Sequence, residues 1–169
     1  MINENDVKKV YNYSKNIRKK ILTMAFEAGS SSAHIGGALS IADILSTLFF
    51  NTMTVIDKEP QNDLRDRFIL SKGHACLAYY ASLSEVGFLS DEQLKTFEKN
   101  DTELPGHPVM NKKLGIEFST GSLGMGLSLG IGVALAAAKK KKIFTFMYYW
   151  AMVNVMKDLY GKQLWRRQI

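Results

Sequence analysis

Apolar residues recur at helical spacing from the start of the chain. Val7, Val10, Tyr11, Ile17, Ile21 and Leu22 mark one face of a long amphipathic helix that begins near residue 5, and Gly29 supplies a C-terminal stop. A loop of small residues, SSSAHIGGALS, follows. Ser40 with Asp43 three residues later has the spacing of a capping box for a second helix, IADILSTLFF. The apolar run RFILS at 67–71 reads as a buried strand and passes directly into KGHACLAYYASLSEVG, which reads as a helix. Gly73 allows a sharp turn between them and Gly87 ends the helix. His74 is therefore expected at a helix start beyond the carboxyl end of a strand, where ligand sites of parallel α/β sheets lie.

Ser90 and Gln93 form a second capping-box pair, for a short helix DEQLKTFEKN. A long connection follows, DTELPGHPVMNKKLGIEFSTGSLGMG. Its length and its turn-forming PGHP point to a functional segment. Beyond it, STGSLGMGLSLGIGVALAAA passes from glycines and hydroxyls into an alanine-rich helix. No internal repeat is present, and KKKK is the one low-complexity patch.

A chain of 169 residues is long enough for one domain with a proper core. The formal net charge of +6 invites a nucleic-acid reading, but its distribution argues against one. Residues 139–169 hold eight Lys or Arg against the single acid Asp158, whereas residues 1–138 hold fourteen against fifteen. The body is neutral, so neither nucleic acid nor a membrane is an expected partner. The single cysteine, Cys76, cannot form an internal disulfide and suits a reducing compartment. The N-terminus is polar and charged, without a signal-peptide pattern, and the apolar run IFTFMYYWAMV is shorter than the ~20 residues a membrane helix needs. A cytoplasmic location is the expectation.

The candidate chemistry lies in the loops. His34, His74 and His107 all fall in turns or at helix starts beside glycines, off any apolar stripe, and histidine titrates where proton transfer near neutral pH needs it. STGSLGMG admits two readings: a cradle for phosphate, in which the amides of a helix start receive the anion, or a close-packing helix entry. Cys76 reads as a small core residue. Asp91, Glu92, Glu98, Asp101 and Glu103 read as a solvated acidic patch, since none shares a glycine-rich turn with a histidine.

Four motifs in this order and spacing, SSSAHIGGALSIADIL, DRFILSKGHACLAYYASL, ELPGHP and EFSTGSLGMGLSLGIGVALAAA, resemble the N-terminal thiamine-diphosphate-binding half of transketolase. The likeness is closest to the split form, in which this half is a separate polypeptide, and covers nearly all of residues 5–138. It implies an α/β fold with a parallel sheet flanked by helices, incomplete in this chain. It implies that His34 and His107 face the sugar and handle its hydroxyl and carbonyl protons, that His74 lies near the cofactor diphosphate, and that Gly121, Ser122 and Leu123 contact thiamine diphosphate. The implied reaction is transfer of a two-carbon ketol unit between sugar phosphates in the pentose phosphate pathway. A C-terminal half would be the partner, in a dimeric or heterotetrameric assembly, because the family's cofactor sites form between subunits.

The resemblance stops at residue 138. The family continues with a strand, a GDG motif and a later Asn that hold Mg²⁺ against the diphosphate; here only Asn154 and Asp158 offer oxygen ligands, in another context, so no metal-binding residues are expected in this frame. Joining the last base of each codon to the first two of the next explains the tail. Trp150 with Ala151 forces Gly, Met152 with Val153 forces Gly, and Met156 with Lys157 forces Glu, while the remaining choices admit GDGECNEGSIWEA across 150–163 and a strand, IYVYVLL, across 143–150. The expectation is a domain fragment at 1–138 and an out-of-frame tail at 139–169, shifted within the lysine run. Such a chain is expected to be inactive alone; the competing expectation is a non-catalytic remnant that only associates with transketolase halves.

Overall fold

The computed structural model describes residues 3–29, 33–139 and 146–149. The elements run α1 (Glu4–Glu27), α2 (Ile35–Leu39), α3 (Ala42–Thr47, continued by a π turn at Leu48–Thr52), β1 (Arg67–Leu70), α4 (Cys76–Glu85), α5 (Asp91–Leu94), α6 (Met125–Lys139) and β2 (Phe146–Tyr149). β1 and β2 pair in parallel, with Arg67 opposite Phe146 and Leu70 opposite Tyr149. α6 is the crossover between the last loop and β2, as a parallel pair requires. This incomplete α/β arrangement matches the expected fold class. β2 falls within the segment expected to be out of frame; the rest of that segment, 140–145 and 150–169, with Asn154 and Asp158, lies outside the described residues.

α1 opens on Asn3, whose side chain accepts from the Asp6 amide at 2.8 Å, and carries Glu4 and Asp6 in its first turn, where negative charge suits the helix dipole. Its buried stripe is Ser14, Ile17, Ile21 and Met24. Val7, Tyr11 and Leu22, which share the apolar pattern, remain exposed. The periodicity marks a helix correctly and mislocates part of its inward face. Ser14 and not Leu22 turns inward because α3 meets α1 through a polar cluster: Arg18 Nη2 lies 2.7 Å from Asp43 Oδ2, and Ser14 donates to Asp43.

That cluster also explains why the Ser40–Asp43 capping box does not form. Asp43 is drawn to Arg18 and Ser14, while Ser40 Oγ donates to the Gly37 carbonyl at 2.9 Å and ends α2 instead. The second box does form, with Gln93 N on Ser90 Oγ at 3.1 Å and Ser90 N on Gln93 Oε1 at 2.9 Å. Its helix stops at Leu94, well short of the ten residues the pattern suggests, and Glu98 and Asp101 adopt positive φ.

α4 is buried from Cys76 to Ser84 on every face, and the other elements gather round it. Ile17, Ile21 and Met24 of α1, Ala42 and Leu45 of α3, and Phe49 close one side; Leu94, Phe97 and Leu104 close the other. A helix buried all round must satisfy its polar tips, and here they hold the long connection. Tyr79 donates to the Gly115 carbonyl at 3.0 Å, Tyr80 to that of Pro105 at 2.8 Å, and the Cys76 thiol to that of Gly106 at 3.0 Å. Burial pushes the Cys76 thiol up to about 12, so it serves as the core residue expected and not as a nucleophile. No helix among the described residues is long and apolar enough to cross a membrane.

The Arg18 and Ser14 hydrogen bonds, in that order, hold the Asp43 carboxyl at about 2, below its ordinary 3.8. A carboxylate lowered on folding stabilises in full above its unfolded value, and loses that contribution as pH falls through the folded one. Urea-unfolding midpoints are therefore expected to drop between roughly pH 4 and pH 2, with a shallower drop in Arg18→Met. Because Asp43 is largely solvated, the difference should stay within about 1 kcal/mol. Identical acid slopes in the two proteins would show that the pair contributes nothing.

Candidate active site

Three turns, far apart in sequence, bring the histidines together. His34 is the N-cap residue of α2. His74 lies in the 3-10 turn Gly73–Ala75 that joins β1 to α4. His107 sits in the PGHP turn held to α4 through the Pro105 and Gly106 carbonyls. The His34 ring centroid lies 5.4 Å from that of His74 and 5.8 Å from that of His107, both edge to face. His34 and His107 are exposed and His74 is half-buried, so the rings share an open face instead of stacking into a core.

Glycines set how closely these turns approach. A Cβ on Gly37 would lie 3.2 Å from His74 Cδ2, while around Gly36 nothing comes within 4 Å. A Cβ on Gly73 would meet the Thr120 carbonyl oxygen at 2.6 Å, a separation no side chain tolerates. Gly121 is thereby pressed against the 73–75 turn, and its own Cβ position lies 3.7 Å from His107 Cδ2. The two readings of STGSLGMG divide along its length. Gly126 is a packing residue: it is buried against Ser71, which accepts its amide at 3.1 Å. Gly121 borders the histidines, with Ser122 and Leu123 exposed beside it.

The electrostatics favour neutral imidazole at His74. Burial lowers the His74 pKa first, followed by the positive charge of Lys72 and then the neighbouring rings of His34 and His107. Lys72 is itself 6% exposed, its pKa lowered by burial, and its ammonium donates to Ser40 Oγ at 3.1 Å, tying the β1 end to the α2 end. Thr120 carries a hydroxyl that is buried and without a hydrogen-bond partner among the described residues. A buried orphan of this kind marks a place where water or a ligand completes the structure.

The sequence pointed to His34, His74, His107, Gly121, Ser122 and Leu123, and the structure gathers the first four of them into one place. Ser122 and Leu123 lie exposed beside that place. Lys72, Ser40 and Thr120 were missed. Lys72 had a signal, a charge at the end of an apolar strand; Ser40 and Thr120 had none, because their significance lies in contacts distant in sequence. Among the described residues no group of three or more histidines, cysteines and carboxylates is arranged to hold a metal ion.

Comparison with known proteins gives this geometry a context. The family described as transketolase, thiamine diphosphate binding domain, matches residues 13–149. The chain is 40% identical over 111 residues to one of the subunits of the apulose-4-phosphate transketolase of Actinobacillus succinogenes, covering 66% of this chain and 40% of that protein. It is 39% identical over 107 residues to human transketolase, covering 63% of this chain and 17% of that one. The structure of transketolase from Leishmania mexicana superposes with a TM-score of 0.71 at 27% identity, over 83% of this chain and 22% of that one. The chain thus spans less than half the length of these relatives. With the match running through the turns of His34, His74, His107 and Gly121, the chain belongs to the thiamine diphosphate binding domain family of transketolase.

Proposed function

We propose that this chain is the N-terminal section of a transketolase acting in the cytoplasm on sugar phosphates of the pentose phosphate pathway, and that its activity is thiamine-diphosphate-dependent transfer of a two-carbon ketol unit from a ketose to an aldose phosphate. The observation that carries this reading is the convergence of His34, His74 and His107 beside the glycine turn at 121.

The residues fit thiamine diphosphate. The partnerless Thr120 hydroxyl and the bare backbone of Gly121 offer polar groups to a ligand ahead of α6, where helix amides favour a diphosphate. When bound, the cofactor supplies the carbon centre that carries the transferred unit. His34 and His107 then take up and return sugar hydroxyl and carbonyl protons at their ring nitrogens, while His74, its pKa lowered chiefly by burial in the ligand-free chain, lies on the diphosphate side. Among the described residues no group of three or more histidines, cysteines and carboxylates could hold Mg²⁺. Catalysis therefore needs the metal motif that the other reading frame admits beyond the lysine run, together with a C-terminal half in a dimeric or heterotetrameric assembly. In this reading residues 1–138 are the domain fragment, residues 139–169 are out of frame, and the chain as it stands is inactive.

Two measurements test this. The 169-residue chain and a frame-restored version would each be mixed with the C-terminal transketolase half, thiamine diphosphate and Mg²⁺, and assayed on xylulose 5-phosphate with ribose 5-phosphate. Turnover is expected from the restored protein alone, with His34→Ala and His107→Ala each lowering kcat/KM by about 10²-fold or more. Turnover by the 169-residue chain contradicts the frame reading, and silence from both with the assembly intact favours a non-catalytic remnant. In NMR titrations of the 169-residue chain, the His74 ring should titrate below the ordinary 6.5, and Lys72→Met should move it upward. An unchanged midpoint in the variant would remove Lys72 from the electrostatics of the site.

A further inference from the structure

The segment that delivers Thr120 and Gly121 to the histidines is anchored by charge. Glu117, three residues before Thr120, ion-pairs with Arg65 and lies 3.3 Å from Arg67 Nη1. The side chains are 5%, 11% and 16% exposed for Arg65, Glu117 and Arg67, so the network sits under the surface. Both arginines are held from the far side as well. Arg65 Nε donates to the Pro60 carbonyl at 2.6 Å with its guanidinium over the Phe88 ring, and Arg67 Nη2 donates to the Asn62 carbonyl at 3.0 Å. Arg65 lies two residues before β1, and Arg67 begins the stretch that runs through β1 to His74.

We propose that Glu117 is a positioning residue for the glycine turn at 120–124: clamped by Arg65 and Arg67, its carboxylate fixes that turn against the 73–75 turn. The physical basis is that two buried cations share one carboxylate. Glu117 between them offsets their repulsion, with the exposed Asp63 3.8 Å from Arg67 Nη2 as a second, more solvated partner, so the Glu117 backbone is held where the opposite charge is needed. Burial lowers the Arg65 pKa while the Glu117 charge opposes that shift, which agrees with the cation depending on this partner. Tyr79, by donating to the Gly115 carbonyl, fixes the same stretch of chain two residues upstream. Between these anchors and the tight Gly73 approach, the segment has little freedom to slide. The functional meaning of this anchoring rests on the proposed reading that the turn receives a diphosphate.

Hydrogen–deuterium exchange on the full 169-residue chain tests the anchoring without cofactor, so its failure and the failure of the cofactor reading can be told apart. In Glu117→Gln, amides of 118–124 should exchange about tenfold faster while those of α4 stay within about twofold of wild type. Adding Arg67→Met to that variant removes the arginine–arginine repulsion that Glu117 no longer offsets and should return the turn to within about threefold of wild type. Glu117→Asp, which keeps the charge and shortens the reach, should lie between and guards against a fold too weakened to interpret. The proposal is overturned if the turn exchanges unchanged in Glu117→Gln, if turn and α4 accelerate together in both Glu117 variants, or if the wild-type turn is already unprotected.

Discussion

A Cβ placed on residue 73 would lie 2.6 Å from the Thr120 carbonyl oxygen and 2.9 Å from the Gly121 amide nitrogen, and the arrangement of the site depends on that approach. It brings the end of β1 against the entry to α6, two segments that otherwise meet through the Ser71 to Gly126 hydrogen bond. One turn carries His74 and the other borders His107, so closing this gap brings those two histidines toward one face. The buried α4 makes the gap permanent: its start fixes the 73–75 turn, and its tyrosine hydroxyls and Cys76 thiol hold the connection from 105 to 115. The carbonyls that satisfy the polar tips of α4 at Tyr80 and Cys76 also set where His107 sits.

Much of this was legible in the sequence. The strand, turn and helix at 67–87 follow from a short apolar run, a glycine and a second apolar run, all local features. The Ser90 to Gln93 box is local as well, and it forms. The Ser40 to Asp43 box has equally good spacing and fails, because Arg18, twenty-five residues earlier, offers Asp43 a stronger partner. The inward face of α1 was blurred for a similar reason. Ser14 outcompetes Leu22 through a polar cluster that no periodicity records. Histidines beside glycines were visible as a pattern; that three of them would meet was implied by the family resemblance and not by spacing. Thr120 and the Arg65, Arg67 and Glu117 network became visible only in three dimensions.

α6 shows what a partial domain looks like energetically. Its glycine face, Gly126 and Gly130, is buried, yet Leu127, Ile131 and Leu135 are 43%, 54% and 66% exposed. A helix this apolar normally crosses a parallel sheet covered on both sides, and here one pair of strands is described. The chain also matches only 17% to 40% of the length of the relatives compared. Under the proposed reading, the rest of the sheet and the metal motif belong to the frame that the lysine run departs from.

The most direct measurement is a crystal structure of the frame-restored chain with its C-terminal half, thiamine diphosphate and Mg²⁺. The expected result is diphosphate density against the Gly121 turn on the His74 side, with His34 and His107 facing the open side where the sugar enters. Diphosphate bound elsewhere, with the three histidines turned away from the cofactor, would contradict the assignment of this cluster as the active site.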